Sequence, residues 1–274
     1  MNNFLWALKF LTIIPINSGS GELPKSSYAV CWFPIVGIVI GAILSVVSLL
    51  LQNVFPPCIT NAFILITYIV ITGALHLDGF ADTCDGIYGG WNKEKRLEIM
   101  KDSHIGSYGV IGLICILGLR YACLLHTGEC HVFLNTKDIS AGILPSFGEP
   151  YSRDASSAVV TKIIVLCLMP AVGRWAQVFA AGVSNYARDV PGTGSFIVNG
   201  TTQKHVAVAS VVPFVLILYL CRLKGLAECA IIVVFTLFII WYIKRKIGGM
   251  TGDTLGAINE AAEIIFLLAL FVVF

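Results

Sequence analysis

Residues 28–51 read YAVCWFPIVGIVIGAILSVVSLLL, a run without one charged side chain. A helix rising 1.5 Å per residue needs about 20 apolar residues to cross the ~30 Å hydrocarbon layer of a bilayer. This run meets that length. Similar stretches recur near 59–77, 108–126, 160–181, 205–222, 227–243 and 255–274, each bounded by Gly, Pro or charge. The segment Phe4–Ile16 is too short to span; with Trp6, Lys9 and Pro15 it reads as a helix lying in the interface. Its Met-Asn-Asn start lacks the basic region of a signal peptide. The expectation is an all-α, polytopic integral membrane protein, with about seven transmembrane helices plus an N-terminal interfacial helix, forming a single membrane domain over residues 1–274.

Composition agrees. Of 274 residues, 57% are hydrophobic and 12% are charged. A soluble domain carries about 25% charged residues, so lipid is the solvent this surface suits. A net charge of +2 without a basic run gives no footprint for nucleic acid. Nine cysteines without a CxxC pair, mostly single in apolar runs, read as small buried hydrophobes.

The connections divide by charge. Segments 1–27, 78–107, 182–204 and 244–254 hold eleven Lys and Arg; the alternate set holds four. The positive-inside bias puts the first set, and the N-terminus, in the cytoplasm. Most of the acids fall on that same side. The middle loop, 127–159, is long and carries no motif that attaches to chemistry.

Asp78, Asp82 and Asp85 are spaced i, i+4, i+7, so on a helix they share one face. Like charges at that spacing repel, and a membrane boundary raises the cost. A hard divalent cation such as Mg²⁺ would offset it. The alternative is a solvated acidic loop, but Phe80, Ala81 and Cys84 between the acids give a half-buried pattern. Gly79 and Gly86 leave room for a ligand near the backbone. A second cluster follows Gly248-Gly249: Asp253 or Thr254 can cap the last helix, on which Gly256, Glu260 and Glu263 share a face beside Asn259. Helix N-termini bind phosphate, and carboxylates inside a span face a cavity or a partner. Arg96, Lys101 and His104 follow the aspartates, and Arg174 lies inside the fourth span, where it serves either as a phosphate fork or as partner to a buried Glu. Arg188 could reach a phosphate from its loop but reads first as an ordinary surface residue, and His76 lies off the aspartate face. The residues alone point to a membrane-embedded, Mg²⁺-dependent transferase acting on a phosphorylated substrate.

The stretches GALHLDGFADTCDG (Gly73–Gly86), LEIMKDSHIGSYG (Leu97–Gly109), GGMTGDTLGAINEAAE (Gly248–Glu263) and FLWALKFLTIIP (Phe4–Pro15) closely resemble the signatures of the cobalamin synthase family, adenosylcobinamide-GDP ribazoletransferase. The likeness runs from end to end, and the middle loop looks longer than the family's. The resemblance implies the last assembly step of cobamide biosynthesis, in the cytoplasmic membrane of a prokaryote. Adenosylcobinamide-GDP would be joined to α-ribazole or its 5′-phosphate, with Mg²⁺, releasing GMP. On that reading Asp78, Asp82 and Asp85 hold the metal. Asp82 or Glu260 acts as general base, and Arg96, Lys101 or Arg174 offsets charge on the phosphoryl group. His76, Asp102, Gly249, Thr251, Asp253, Asn259 and Glu263 contact substrate. The partners are those two small molecules and the bilayer. Small residues on the spans would permit a homo-oligomer.

Two rivals remain at this level. A CDP-alcohol phosphotransferase would carry Asp-x-x-Asp-Gly-x-x-Ala-Arg, which is absent here. A cation-coupled transporter would use Asp253, Glu260 and Glu263 as an ion path, but no internal repeat is visible.

Overall fold

The computed structural model describes residues 2–16, 27–127, 153–190 and 192–274. Most of the loop 127–159 therefore lies outside the described residues, as do Lys25 and Lys137. Among the described residues the chain is helical: α1 (Asn3–Leu11), a 3-10 turn (Ser27–Trp32), α2 (Phe33–Leu51), α3 (Pro57–Thr72), α4 (Leu75–Gly89), α5 (Lys93–Ile99), α6 (Ser107–His126), α7 (Arg153–Gly182), α8 (Thr193–Gly200), α9 (Gln203–Ile247) and α10 (Gly252–Val273). Among the described residues five helices are long and apolar enough to cross a membrane, and α3 with α4 would make a sixth. The protein is an all-α, polytopic membrane protein.

The count differs from the seven expected at two places. The span expected at 59–77 stops at Thr72: Gly73 and Ala74 take left-handed backbone angles (φ 59° and 56°), and α4 leaves at 88° to α3. The three aspartates therefore ride on a helix turned across the end of the bundle. The expected spans 205–222 and 227–243 are joined in α9, whose 45 residues are broken by non-helical angles at Arg222 (φ 52°, ψ −132°). A straight helix of that length would reach ~67 Å. Yet both of its ends lie beside the end of α7. Val206 sits against Gly182, while Lys244 Nζ donates to the Val183 carbonyl at 3.2 Å. α9 is thus folded back on itself, in arms 203–221 and 223–247.

The α2–α7 contact centres the bundle. Small residues let the two backbones approach closely. A Cβ on Gly37 would fall 2.6 Å from Ala171 Cα, and one on Gly41 would fall 2.2 Å from the Leu166 carbonyl oxygen. α1 is N-capped by Asn2, whose Oδ1 accepts from Phe4 N–H at 3.2 Å, and it buries Trp6, Ala7 and Leu11. Its helix ends at Leu11 rather than running on to Ile16. The eight described cysteines form no disulfide.

The connections grouped by charge come together at one end. Gly79 meets Asp253, Arg96 reaches the Lys246 carbonyl, Asp85 meets Gly106 and Gly109, and Gly194 meets Gly252. The opposite end carries the Arg222 break, where the Lys224 ammonium lies 4.9 Å from the Phe274 ring.

The glycine contact gives a direct test. Gly41→Val forces its side chain into α7 backbone and should destabilise the fold by about 1–3 kcal/mol. The readout is the thermal unfolding midpoint in detergent; an unchanged midpoint would refute so close an approach.

Candidate functional site

The site is built where α4 crosses α10. Two glycines make the crossing close: a Cβ on Gly79 would stand 2.8 Å from the Asp253 carbonyl, and one on Gly256 would stand 3.1 Å from the His76 carbonyl. The role expected for Gly79, room for a ligand, is taken by this packing. The crossing brings Asp78 and Asp82 of α4 toward Asp253 of α10. Burial, with the charges of Asp78, Asp253 and Asp85, pushes the Asp82 carboxyl up from 3.8 to about 7. Asp78 and Asp253 line a cavity of about 400 Å³, together with His76, Gln177, Tyr186 and Arg188.

Helix α10 starts there because Thr251 caps it, accepting from Thr254 N–H at 3.2 Å. The Gly248-Gly249 loop is held, not slack. Met250 N–H donates to the Asn185 carbonyl and Ala187 N–H to the Met250 carbonyl, both at 2.9 Å. A Cβ on Gly249 would come 2.4 Å from the Asn185 carbonyl. This pairing carries Arg188 to the cavity, where its Nη2 donates to Asp253 Oδ2 at 2.8 Å. The sequence favours a surface role for Arg188 over a phosphate contact, because nothing local reveals the pairing between 185–187 and Met250.

Asp85 has a different neighbourhood. Its Oδ2 accepts from Gly106 N–H and its Oδ1 from Gly109 N–H, both at 2.8 Å. It thereby supplies the cap for α6, whose own N-cap residue is a glycine with no side chain to do so. Arg96 reaches back to carbonyls, with Nη1 on Lys246 at 3.1 Å and Nε on Ile87 at 3.4 Å. Lys101 and Asp102 are exposed; Asp102 accepts from His104 N–H at 3.0 Å and contacts its Nδ1 at 2.7 Å, which holds the carboxyl below its ordinary value. Among the described residues no group of three or more His, Cys, Asp or Glu converges on one metal position.

Glu260, Glu263, Asn259 and Arg174 lie deeper, in one buried network. Arg120 Nη2 reaches Glu260 Oε2 at 2.6 Å and Glu263 Oε2 at 2.9 Å. Arg174 pairs with Glu263 Oε1 and Tyr68 Oη, and Tyr68 in turn donates to Glu263 Oε1 at 2.6 Å. Asn259 Nδ2 donates to Glu260 at 3.1 Å and to Glu263 at 3.0 Å. Both arginines are 0% exposed. His76 links network and cavity: its Nδ1 lies 3.4 Å from Arg174 Nη2, and a guanidinium only donates, so the ring proton sits on Nε2. Burial and the two guanidiniums hold that imidazole well below its ordinary value. Sequence reasoning missed Arg120. The available signal was charge balance, since two glutamates inside a span call for two cations.

A family model, cobalamin-5-phosphate synthase, matches residues 3–271. The chain belongs to that family. Curated relatives bear the name adenosylcobinamide-GDP ribazoletransferase. The one from Clostridium novyi is 35% identical, over 98% of this chain and 96% of the relative. That from Acetivibrio thermocellus is 32% identical over 98% and 96%, and that from Klebsiella pneumoniae is 32% identical over 98% and 99%. No solved structure matches. The motifs of α4 and α10 thus lie inside a match spanning nearly the whole chain.

Two outcomes follow from this geometry. Glu263→Gln leaves guanidinium charge uncompensated and should cost about 3–5 kcal/mol in thermal unfolding; a loss below 1 kcal/mol would contradict the pairing. Asp82 binds its proton more tightly folded than unfolded, so without divalent cations stability should fall as pH rises from 3.8 to about 7. Asp82→Asn should remove that part of the slope, measured by unfolding across the same pH range.

Proposed function

We propose that this chain joins adenosylcobinamide-GDP to α-ribazole, or to its 5′-phosphate, giving adenosylcobalamin or its 5′-phosphate and GMP. One observation carries the reading: a family match over nearly the whole chain, whose α4 and α10 motifs both line one cavity and bring Asp78 and Asp253 to it. The match also takes the chain away from transporters and from CDP-alcohol phosphotransferases. The cavity end of the bundle is the cytoplasmic one, on the charge bias of its loops. Counting both arms of α9 and taking α3 as a crossing gives seven spans, with α4 lying across the face.

The ribose 3′-hydroxyl of the ribazole attacks the phosphorus nearer the cobinamide. A P–O bond forms there, the P–O bond to GMP breaks, and the hydroxyl proton goes to a carboxylate. Asp82 is the candidate for that role, because it lies beside Asp78 and Asp253 and, unlike Asp85, is not committed to capping α6. The donor set fits Mg²⁺: hard oxygens on Asp78 and Asp253, with space beside them for phosphate oxygens. Bound there, Mg²⁺ would neutralise charge on the diphosphate and stabilise the departing GMP. Asp85 is committed to Gly106 and Gly109, so Asp253 takes the place that sequence spacing had given it. Arg188 holds Asp253 and offers its guanidinium to a phosphate oxygen. Glu260 and Glu263 keep the two arginines neutralised beneath the cavity floor.

The test uses purified protein in lipid with adenosylcobinamide-GDP, α-ribazole and Mg²⁺, scored by complete cobamide and GMP in equal amounts. EDTA should abolish product. Asp253→Asn and Asp82→Asn should each lower kcat by roughly 100-fold or more. Folded wild-type protein that makes no cobamide from either ribazole form would refute the assignment.

A further inference from the structure

The chemistry above uses only one part of the cavity. Phe10 of α1 and Phe33 of α2 also line it, with ring centroids 6.0 Å apart and planes 20° from parallel. Trp6 stacks on both, at 5.0 Å and 6° from Phe10 and at 6.4 Å and 14° from Phe33. The three rings form a nearly parallel array. Leu75, Ile197 and Leu255 add apolar surface. α1 brings this wall to the α3–α4 break, since Ile13 N–H donates to the Ile71 carbonyl at 2.8 Å just after Phe10. The charged part lies further along α4, where Gly79 meets Asp253 and Arg188 closes on it.

We propose that the cavity is a nucleoside subsite, holding α-ribazole with its benzimidazole against the Phe10–Phe33 wall and its ribose toward Asp78 and Asp253. This rests on the reaction assigned above and adds which substrate enters. Flat heteroaromatic bases stack on aromatic side chains; Trp6 and Phe33 are buried, and Phe10, only partly buried, is the ring with surface to offer the cavity. The apolar part of the lining is Phe10, Phe33, Leu75, Ile197 and Leu255, and Gln177, Tyr186 and His76 line the same cavity. A benzimidazole carries no exocyclic donor or acceptor and leaves nothing unpaired there. Guanine set against that apolar part would bury its amide edge at the cost of lost hydrogen bonds. A cavity of about 400 Å³ suits a nucleoside and is too small for a corrinoid, which stays at the mouth with only its diphosphate reaching the carboxylates.

Phe10 is only partly buried but packs on Trp6 and Phe33, so each variant is first checked for an unchanged thermal unfolding midpoint. Phe10→Leu keeps apolar volume but removes the flat face; Phe10→Tyr keeps it. With protein in lipid nanodiscs, Kd for α-ribazole alone is measured by calorimetric titration, and KM for each substrate by turnover. Phe10→Leu should raise Kd and KM for α-ribazole roughly 5- to 150-fold, the worth of one stacked base. Phe10→Tyr should stay within about twofold of wild type, and KM for adenosylcobinamide-GDP should not move in either variant. A rise confined to adenosylcobinamide-GDP would overturn the proposal by placing guanosine on the wall; unchanged values for both would overturn it too. Wild-type protein that binds α-ribazole without turnover would refute the reaction instead, and the titration would then decide the subsite alone.

Discussion

Four buried charges hold this molecule together. Arg120, Arg174, Glu260 and Glu263 sum to zero, and each pairs with one of opposite sign in an interior where an unpaired ion costs several kcal/mol. Their owners, with Tyr68 and His76, come from α3, α4, α6, α7 and α10. In lipid, helices gain little from burying apolar surface against one another, so packing and polar contacts decide which face meets which. The network supplies that choice for five elements at once. The rotation of α10 that points Glu260 and Glu263 inward also aims Asp253, about two to three turns earlier, at the cavity mouth.

Above the network, the site is an arrangement of negative charge that folding tolerates because little of it is fully buried. α4 leaves α3 at 88° and so keeps Asp78 at the water-facing end instead of carrying it into hydrocarbon. Asp85 offsets its own burial by accepting two backbone N–H groups from α6. Between these extremes Asp82 stays titratable near neutrality. One helix thus carries three aspartates in three states of solvation, which separates a structural carboxylate from chemically available ones.

Much of this was legible in the sequence, for reasons of length and spacing. The apolar runs mark the helices, and Arg222 and Lys224 mark the break that divides α9 into two arms. The i, i+4, i+7 aspartates do lie on one helix, as do Glu260 and Glu263. Long-range pairing is what stayed hidden. No local pattern says that Asp85 will cap α6, that Arg188 will be delivered by the pairing of 185–187 with Met250, or that Arg120 is the second cation for the glutamates. The break after Thr72 was hidden for a different reason: hydropathy continues past Gly73, and only the backbone angles of Gly73 and Ala74 end the helix.

The neutrality of the buried quartet also bears on membrane energisation. A transmembrane voltage acts on an elementary charge with about 2.3 kcal/mol per 100 mV across the full field. On a compact group with no net charge, those forces nearly cancel. The scaffold under the cavity therefore keeps its geometry whether the cell membrane is polarised or collapsed, and an enzyme embedded in an electric field can hold its reacting groups as steadily as one in solution.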